Sequence, residues 1–135
     1  MAENVRLFDA AIKQAGAKTA LYMTWARQHA PQTQEAIASA YAAIGEELGA
    51  IVIPVGLAWQ DFLANHDKPL LYDRDQSHPT LAGSYLATCV FLAALLGQNP
   101  VGISPGPAGL EPPAIAALQR VAWKRAAVAI GEGKS

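Results

Sequence analysis

The chain has 135 residues, of which 52% are hydrophobic, and we expect residues 1–135 to form a single domain with its own core. Ten Lys and Arg residues face eleven acidic residues without forming a basic stripe, which argues against a nucleic-acid partner. The single cysteine, Cys89, excludes an internal disulfide and is expected to be a packing residue.

The N-terminal segment, MAENVRLFDA, lacks the basic stretch and apolar core of a secretory signal. The most apolar run, residues 85–96, is shorter than the roughly 20 residues that a membrane-spanning helix needs. We therefore expect no membrane span, and a cytoplasmic location is only the default expectation because the sequence does not fix the compartment.

The first half of the chain alternates helix and strand patterns. Residues 3–15 have apolar side chains every three or four positions and are followed by Gly16, which predicts a helix. Residues 19–25 are short, apolar and rich in strand formers, which predicts a strand buried on both faces. A second helix ends before Gly49, and residues 50–55 give a second buried strand. This alternation predicts an α/β fold with parallel strands and right-handed crossovers.

The second half contains no comparable strand. Its predicted elements are a helix at 57–64, a polar irregular stretch at 65–77, a helix from the N-cap Thr80 to Gly97, a loop at 98–112 rich in proline and glycine, and a final helix at 113–130 before a mobile tail. A parallel pair of strands usually has further strands beside it, so we expect an incomplete sheet.

Asp75 and His78 are the strongest candidates for chemistry. A histidine that acts as a general base works best when a carboxylate holds one ring nitrogen, because this fixes the tautomer and stabilises the imidazolium. Two residues three apart in a loop can make this contact, and Pro79 keeps His78 out of helical backbone angles. By itself Asp-x-x-His is a common pattern, and its plain interpretation is a solvated loop histidine beside a helix start.

The segment resembles the last conserved block of the SGNH/GDSL-type hydrolases. Asp75, His78 and Pro79 are followed by Gly-Ser-Tyr-Leu at residues 83–86 on the closing helix, and both predicted strands also resemble the last two of that family. The resemblance covers residues 3–97, the C-terminal half of such a domain. It implies a partial three-layer α/β/α sandwich of flavodoxin type, a small ester substrate, His78 as general base and Asp75 as its orienting carboxylate.

No serine nucleophile is recognisable. Ser104 lies in a Gly-x-Ser-x-Gly pattern, but Pro105 after it has no N–H for an oxyanion and no strand precedes it. Ser77 would point away from its neighbour His78, and Ser84 lies on the next helix. The resemblance implies that the nucleophile and the oxyanion-hole Gly and Asn lie upstream of Met1, so we expect this chain alone to be inactive.

Other polar and aromatic residues allow two interpretations. Trp25 and Arg27 follow the carboxyl end of a strand, where α/β sheets bind ligands, and could line a substrate pocket; equally, Trp25 could cap the core and Arg27 be a solvated charge. Trp59, Phe62 and Trp123 are expected to be packing residues. The spacing of His29, His66, Asp67 and Asp73 matches no compact metal site, so we expect neither a metal nor a cofactor.

A second hypothesis needs no catalysis. The strand at residues 19–25 would be central in a complete fold and is an edge here. The chain would then be a stand-alone α/β fragment that associates with a second copy or with a missing N-terminal half through this edge.

Overall fold

The computed structural model describes residues 1–132 and contains five α-helices and two strands in that range. In chain order the elements are α1 (Ala2–Gln14), β1 (Ala20–Tyr22), a single 3₁₀ turn (Pro31–Thr33), α2 (Gln34–Leu48), β2 (Ile51–Ile53), α3 (Val55–Asn65), α4 (Leu81–Leu96) and α5 (Pro112–Glu132). The α/β class predicted from the sequence is confirmed.

The two strands form a parallel pair in which Leu21 is opposite Val52 and Tyr22 is opposite Ile53. Side chains alternate between the faces of a strand, so Leu21 and Val52 share one face and Tyr22 and Ile53 share the other. Within residues 1–132 the sheet has these two strands, so the expected parallel but incomplete sheet is also confirmed.

Helices cover both faces of the strand pair. On one face α2 packs so closely that a Cβ at Gly45 would overlap Val52. On the other face the Tyr22 ring meets Phe91 of α4 edge to face, with ring centroids 4.8 Å apart. Helix α1 lies against α2, where Arg6 pairs with Glu47 at 2.6 Å. The layers are those of a partial α/β/α sandwich.

The core lies on the α4 side of the sheet, among α3, α4 and α5. Its largest fully buried side chains include Trp59 and Phe62 of α3, Leu86 of α4 and Leu118 of α5. Arg125 of α5 makes two hydrogen bonds of 2.7 Å to Asp61 of α3, which joins these helices at their edge. Cys89 is buried in this core, as expected of a packing residue.

The helix predicted from Thr80 to Gly97 is confirmed at both ends. The Thr80 side chain accepts a hydrogen bond from Gly83 N, and Gly97 ends the helix in a left-handed conformation with φ 63°. The last helix begins at Pro112, one residue before its predicted start, and continues to Glu132. Residues 131 and 132 of the predicted tail belong to this helix, and residues 133–135 lie outside the described residues. Over residues 1–132, no helix is both long and apolar enough to cross a membrane.

The prediction that both strands are buried on both faces was wrong. Each strand has three residues, and Tyr22 and Ile51 remain 38% and 40% exposed. The reason is that each strand has only the other beside it. Apolar side chains that would be covered in a wider sheet therefore keep contact with solvent. The last hydrogen bond of the pair is that of Met23 N to the Ile53 carbonyl at 3.1 Å, and beyond it Trp25 Nε1 and Gln28 N donate to the loop that precedes α4.

Candidate functional site

The loop before α4, residues 73–78, is closed at its base by backbone pairing. Tyr72 and Pro79 form an antiparallel bridge, and Asp73 N donates to the His78 carbonyl at 2.8 Å. The Tyr72 hydroxyl donates to Ala26 O at 2.5 Å, which ties this base to the segment after β1. The bridge holds the two ends of the loop together.

The structure brings Asp75 and His78 together inside this loop. Asp75 Oδ2 accepts a short hydrogen bond from His78 Nδ1, while Oδ1 accepts from the backbone amides of His78 at 2.9 Å and Ser77 at 3.0 Å. Gln76 between them has a left-handed conformation with φ 61°, which turns the chain back toward the carboxylate. The backbone donors therefore fix the carboxylate, and the carboxylate in turn orients the imidazole.

These contacts shift the pKa of Asp75 and the pKa of His78. The hydrogen bond from the His78 ring, followed by those from the His78 and Ser77 amides, lowers the pKa of Asp75 from 3.8 to about 2. The hydrogen bond to Asp75 and the negative charge of Asp75 raise the pKa of His78 above its usual 6.5, with a further contribution from Asp73. Asp75 is thus ionised at neutral pH and favours the imidazolium form of His78.

The His78 side chain is 79% exposed and that of Asp75 is 50% exposed. Within the described range, His78 Nδ1 is committed to Asp75, and Nε2 has no hydrogen-bond partner. A ring nitrogen that has a lone pair and faces solvent can accept a proton from an incoming hydroxyl group. The arrangement therefore has the form of a general base with its orienting carboxylate.

The pair lies beside the segment that follows the carboxyl end of β1. Trp25 Nε1 donates to the Ser77 carbonyl at 2.9 Å, and Gln28 N donates to the Gln76 carbonyl at 3.0 Å. The carboxyl ends of parallel strands are where open α/β sheets bind their ligands. Asp75 and His78 thus lie close to the edge of the sheet at which such ligands bind.

A shallow cleft of about 420 Å³ adjoins this segment. Tyr22, Trp25 and Phe91 give it aromatic walls, and Pro79 and Ser84 line the side nearest the loop. Trp25 thus lines the cleft, and its role in binding a substrate stays a prediction. The same ring also packs against the core, because it stacks on Trp59 with centroids 4.1 Å apart.

The remaining candidates are dispersed. Arg27 and His29 are exposed on the segment after β1, and His66 stacks on Phe62 at the end of α3. Ser104 lies in the loop between α4 and α5, so no strand directly precedes it. Among residues 1–132 no group of three or more His, Cys, Asp or Glu side chains is arranged to hold a metal.

The contacts that join the loop at residues 73–78 to the rest of the protein were not predicted from the sequence. The hydrogen bond from Trp25 to Ser77 joins residues 52 positions apart, and the stack of Trp25 on Trp59 joins two elements that the sequence treats separately. No local signal indicates either contact. The left-handed conformation of Gln76 was also unexpected, since glycine or asparagine is the usual sign of such a turn.

Comparison with known proteins identifies one similar fold. No protein-family model matches the chain, and no curated protein does. A solved crystal structure of a DUF4886 family protein from Bacteroides uniformis matches with a TM-score of 0.66 and 24% sequence identity. The match covers 80% of this chain and 47% of that protein, so the chain spans about half the length of its structural relative. At this identity the likeness shows the fold alone.

Proposed function

We propose that this chain carries the acid–base half of an SGNH/GDSL-type ester hydrolase. The observation behind the proposal is the contact of Asp75 Oδ2 with His78 Nδ1 in an exposed loop beside the carboxyl end of β1. The sequence resemblance at residues 75–86 and the partial α/β/α layering support the same assignment.

In the proposed reaction His78 Nε2 takes the proton from a hydroxyl group as that group attacks the ester carbonyl. Nδ1 keeps its proton, and Asp75 accepts the hydrogen bond that stabilises the resulting imidazolium. His78 then returns the proton to the leaving alcohol. Asp75 remains ionised throughout, in keeping with a pKa of about 2.

The attacking hydroxyl and the oxyanion donors are proposed to come from another polypeptide segment. Ser104, the residue with the best sequence pattern, is followed by Pro105, which has no amide hydrogen to donate. Ser77 is next to His78, and its amide is already bound to Asp75. The substrate class is a small ester, with no metal or cofactor required for the proton transfers.

The test is activity against short acyl esters in a polypeptide that supplies the nucleophile. We expect His78→Ala to lower kcat by 10³-fold or more, since the proton acceptor is lost. Asp75→Asn should leave more activity than His78→Ala, because the carboxylate assists the transfer without performing it. His29→Ala, at an exposed histidine on the segment after β1, is the matched control and should leave kcat unchanged.

Equal rates for the wild type and His78→Ala would reject the assignment of the base. Loss of activity in His29→Ala of the same size as in His78→Ala would show that the assay reports folding and not proton transfer.

The second candidate function is association through the sheet. β1 is one of only two strands in the described range, and Tyr22 and Ile51 are exposed although both are large and apolar. An open strand edge with apolar neighbours favours pairing with another strand. The occupant would be a second copy of this chain or a chain that extends the sheet.

Sedimentation velocity of the purified chain tests the self-association. A dimer at micromolar concentration that Tyr22→Lys converts to monomer would support pairing at this edge. A monomer at all concentrations up to about 100 μM would reject the self-pairing form of this function.

A further inference from the structure

Trp25 connects the core of the protein to the loop that carries Asp75 and His78. Its ring stacks on Trp59 at 4.1 Å between centroids with an interplanar angle of 10°, and Trp59 is 1% exposed. Its Nε1 donates to the carbonyl of Ser77 at 2.9 Å. One side chain thus joins a rigid core residue to the backbone immediately before His78.

The position of this hydrogen bond matters because the loop is exposed at its far end. Backbone bonds fix the base of the loop at Tyr72 and Pro79, but the carboxylate and imidazole lie between those points and are largely in solvent. Two described hydrogen bonds reach the middle of the loop from outside, from Gln28 N to the Gln76 carbonyl and from Trp25 Nε1 to the Ser77 carbonyl.

The packing around Trp59 limits how far Trp25 can move. A Cβ at Gly83, in the first turn of α4, would overlap the Trp59 ring and lie 2.6 Å from the Leu71 carbonyl. The stack is therefore held between α3, the start of α4 and the segment after β1. A donor on such a rigid base restricts the backbone it binds more than a mobile surface side chain would.

We propose that Trp25 is a positioning residue that keeps Asp75 and His78 in contact through the hydrogen bond from its Nε1 to the Ser77 carbonyl. This inference rests on the proposed function of the pair, and it gives Trp25 a role beyond lining the cleft. The N–H group of Trp25 holds the loop, whereas its ring stacks on Trp59.

An NMR titration of the histidine ring protons in the intact chain tests the inference without any substrate. The two charged groups that act on His78 are Asp75 and Asp73. Trp25→Phe keeps an aromatic ring against Trp59 but removes the donor. We expect the pKa of His78 to fall back toward its usual 6.5 as its contact with Asp75 loosens.

Trp123→Phe is the matched control, because it makes the same change at a half-buried tryptophan on α5. Its titration of His78 should equal that of the wild type. If Trp25→Phe loses the fold, replacing Trp25 by benzothienylalanine removes the N–H while keeping the size of the ring, and the same fall in the pKa of His78 is expected.

The outcomes separate this inference from the proposed function. A wild-type pKa of His78 that Asp75→Asn lowers, together with an unchanged value in Trp25→Phe, would overturn the role of Trp25 and leave the pair intact. A wild-type value that Asp75→Asn does not alter would reject the Asp75–His78 pair itself, and with it the basis of both.

Discussion

Asp75 is the residue that holds the candidate site together through its carboxylate. It accepts hydrogen bonds from the imidazole and the amide of His78 and from the amide of Ser77. Two of these donors belong to the backbone, so the carboxylate is oriented by the fold of the loop and not by the histidine alone. The same contacts explain why the pKa of Asp75 falls and that of His78 rises.

Stability should depend on pH in a way that reports this pair. The pKa of Asp75 falls on folding from 3.8 to about 2, so its contribution is present above about pH 4 and is lost as pH falls toward 2. The pKa of His78 rises above 6.5, so its contribution is full below 6.5 and is lost as pH rises through the folded value.

We therefore expect Asp75→Asn to lower the free energy of unfolding most between about pH 4 and 6.5, with a smaller loss on either side. Urea denaturation across this pH range measures it. Asp67→Asn, a charge removal at an exposed residue, is the control and should show no such window. A loss that is constant from pH 3 to 8 would contradict coupling between the two groups.

At the scale of elements, the start of α4 places the loop. The Thr80 side chain accepts from Gly83 N at 3.2 Å and donates to the Leu70 carbonyl at 2.6 Å, so one hydroxyl caps the helix and binds the chain that enters the loop. Gly83, three residues after the cap, has no side chain and so lets the helix approach Trp59. The cap and the close approach together fix the start of α4, two residues after His78.

Removing the cap should destabilise the protein modestly. We expect Thr80→Ala to lower the free energy of unfolding by about 1 kcal/mol, because the first turn of α4 loses its acceptor. Thr80→Ser keeps the oxygen and should cost much less. Chemical denaturation of both variants measures the difference, and equal losses would show that the hydroxyl is not what matters.

Filling the space at Gly83 should be costly despite the better helix propensity of alanine. A Cβ there would overlap the Trp59 ring, so we expect Gly83→Ala to lower the free energy of unfolding by about 1–3 kcal/mol. Ser84→Ala, at the exposed neighbouring position, should change it by less than about 0.5 kcal/mol. A stabilised Gly83→Ala variant in thermal denaturation would contradict the close packing of α4 on α3.

The sequence predicted best those elements whose ends depend on local signals. Helix α4 runs from its Thr80 cap to Gly97 because those two residues act on their own neighbours. The strands were predicted too long and too buried, since their extent depends on how many strands lie beside them. The pairing of Asp75 with His78 was predictable because it is local, whereas the contact of Trp25 with Ser77 depends on tertiary packing.

At the scale of the whole molecule, residues 1–132 form a two-stranded α/β unit with the candidate base near the carboxyl end of β1. Helices cover both faces, yet large apolar side chains remain exposed along the strand pair. The chain also matches 47% of its structural relative.

The proposed function, in which another segment supplies the nucleophile, predicts how this chain behaves alone. We expect no labelling by a serine-directed fluorophosphonate, because labelling requires a serine activated by the base, and within residues 1–132 no serine hydroxyl is hydrogen-bonded to His78. Intact-mass spectrometry after incubation measures it, with an active serine esterase as the positive control. A covalent adduct on any serine would show that the nucleophile lies within this chain.

The most direct test of the acid–base assignment is the tautomer of neutral His78, measured by ¹⁵N NMR of the imidazole above its pKa. We predict a proton on Nδ1, held by Asp75, and an unprotonated Nε2 ready to accept a proton, with this preference lost in Asp75→Asn. A neutral wild-type ring that carries its proton on Nε2 would show that Asp75 does not orient His78 for this role.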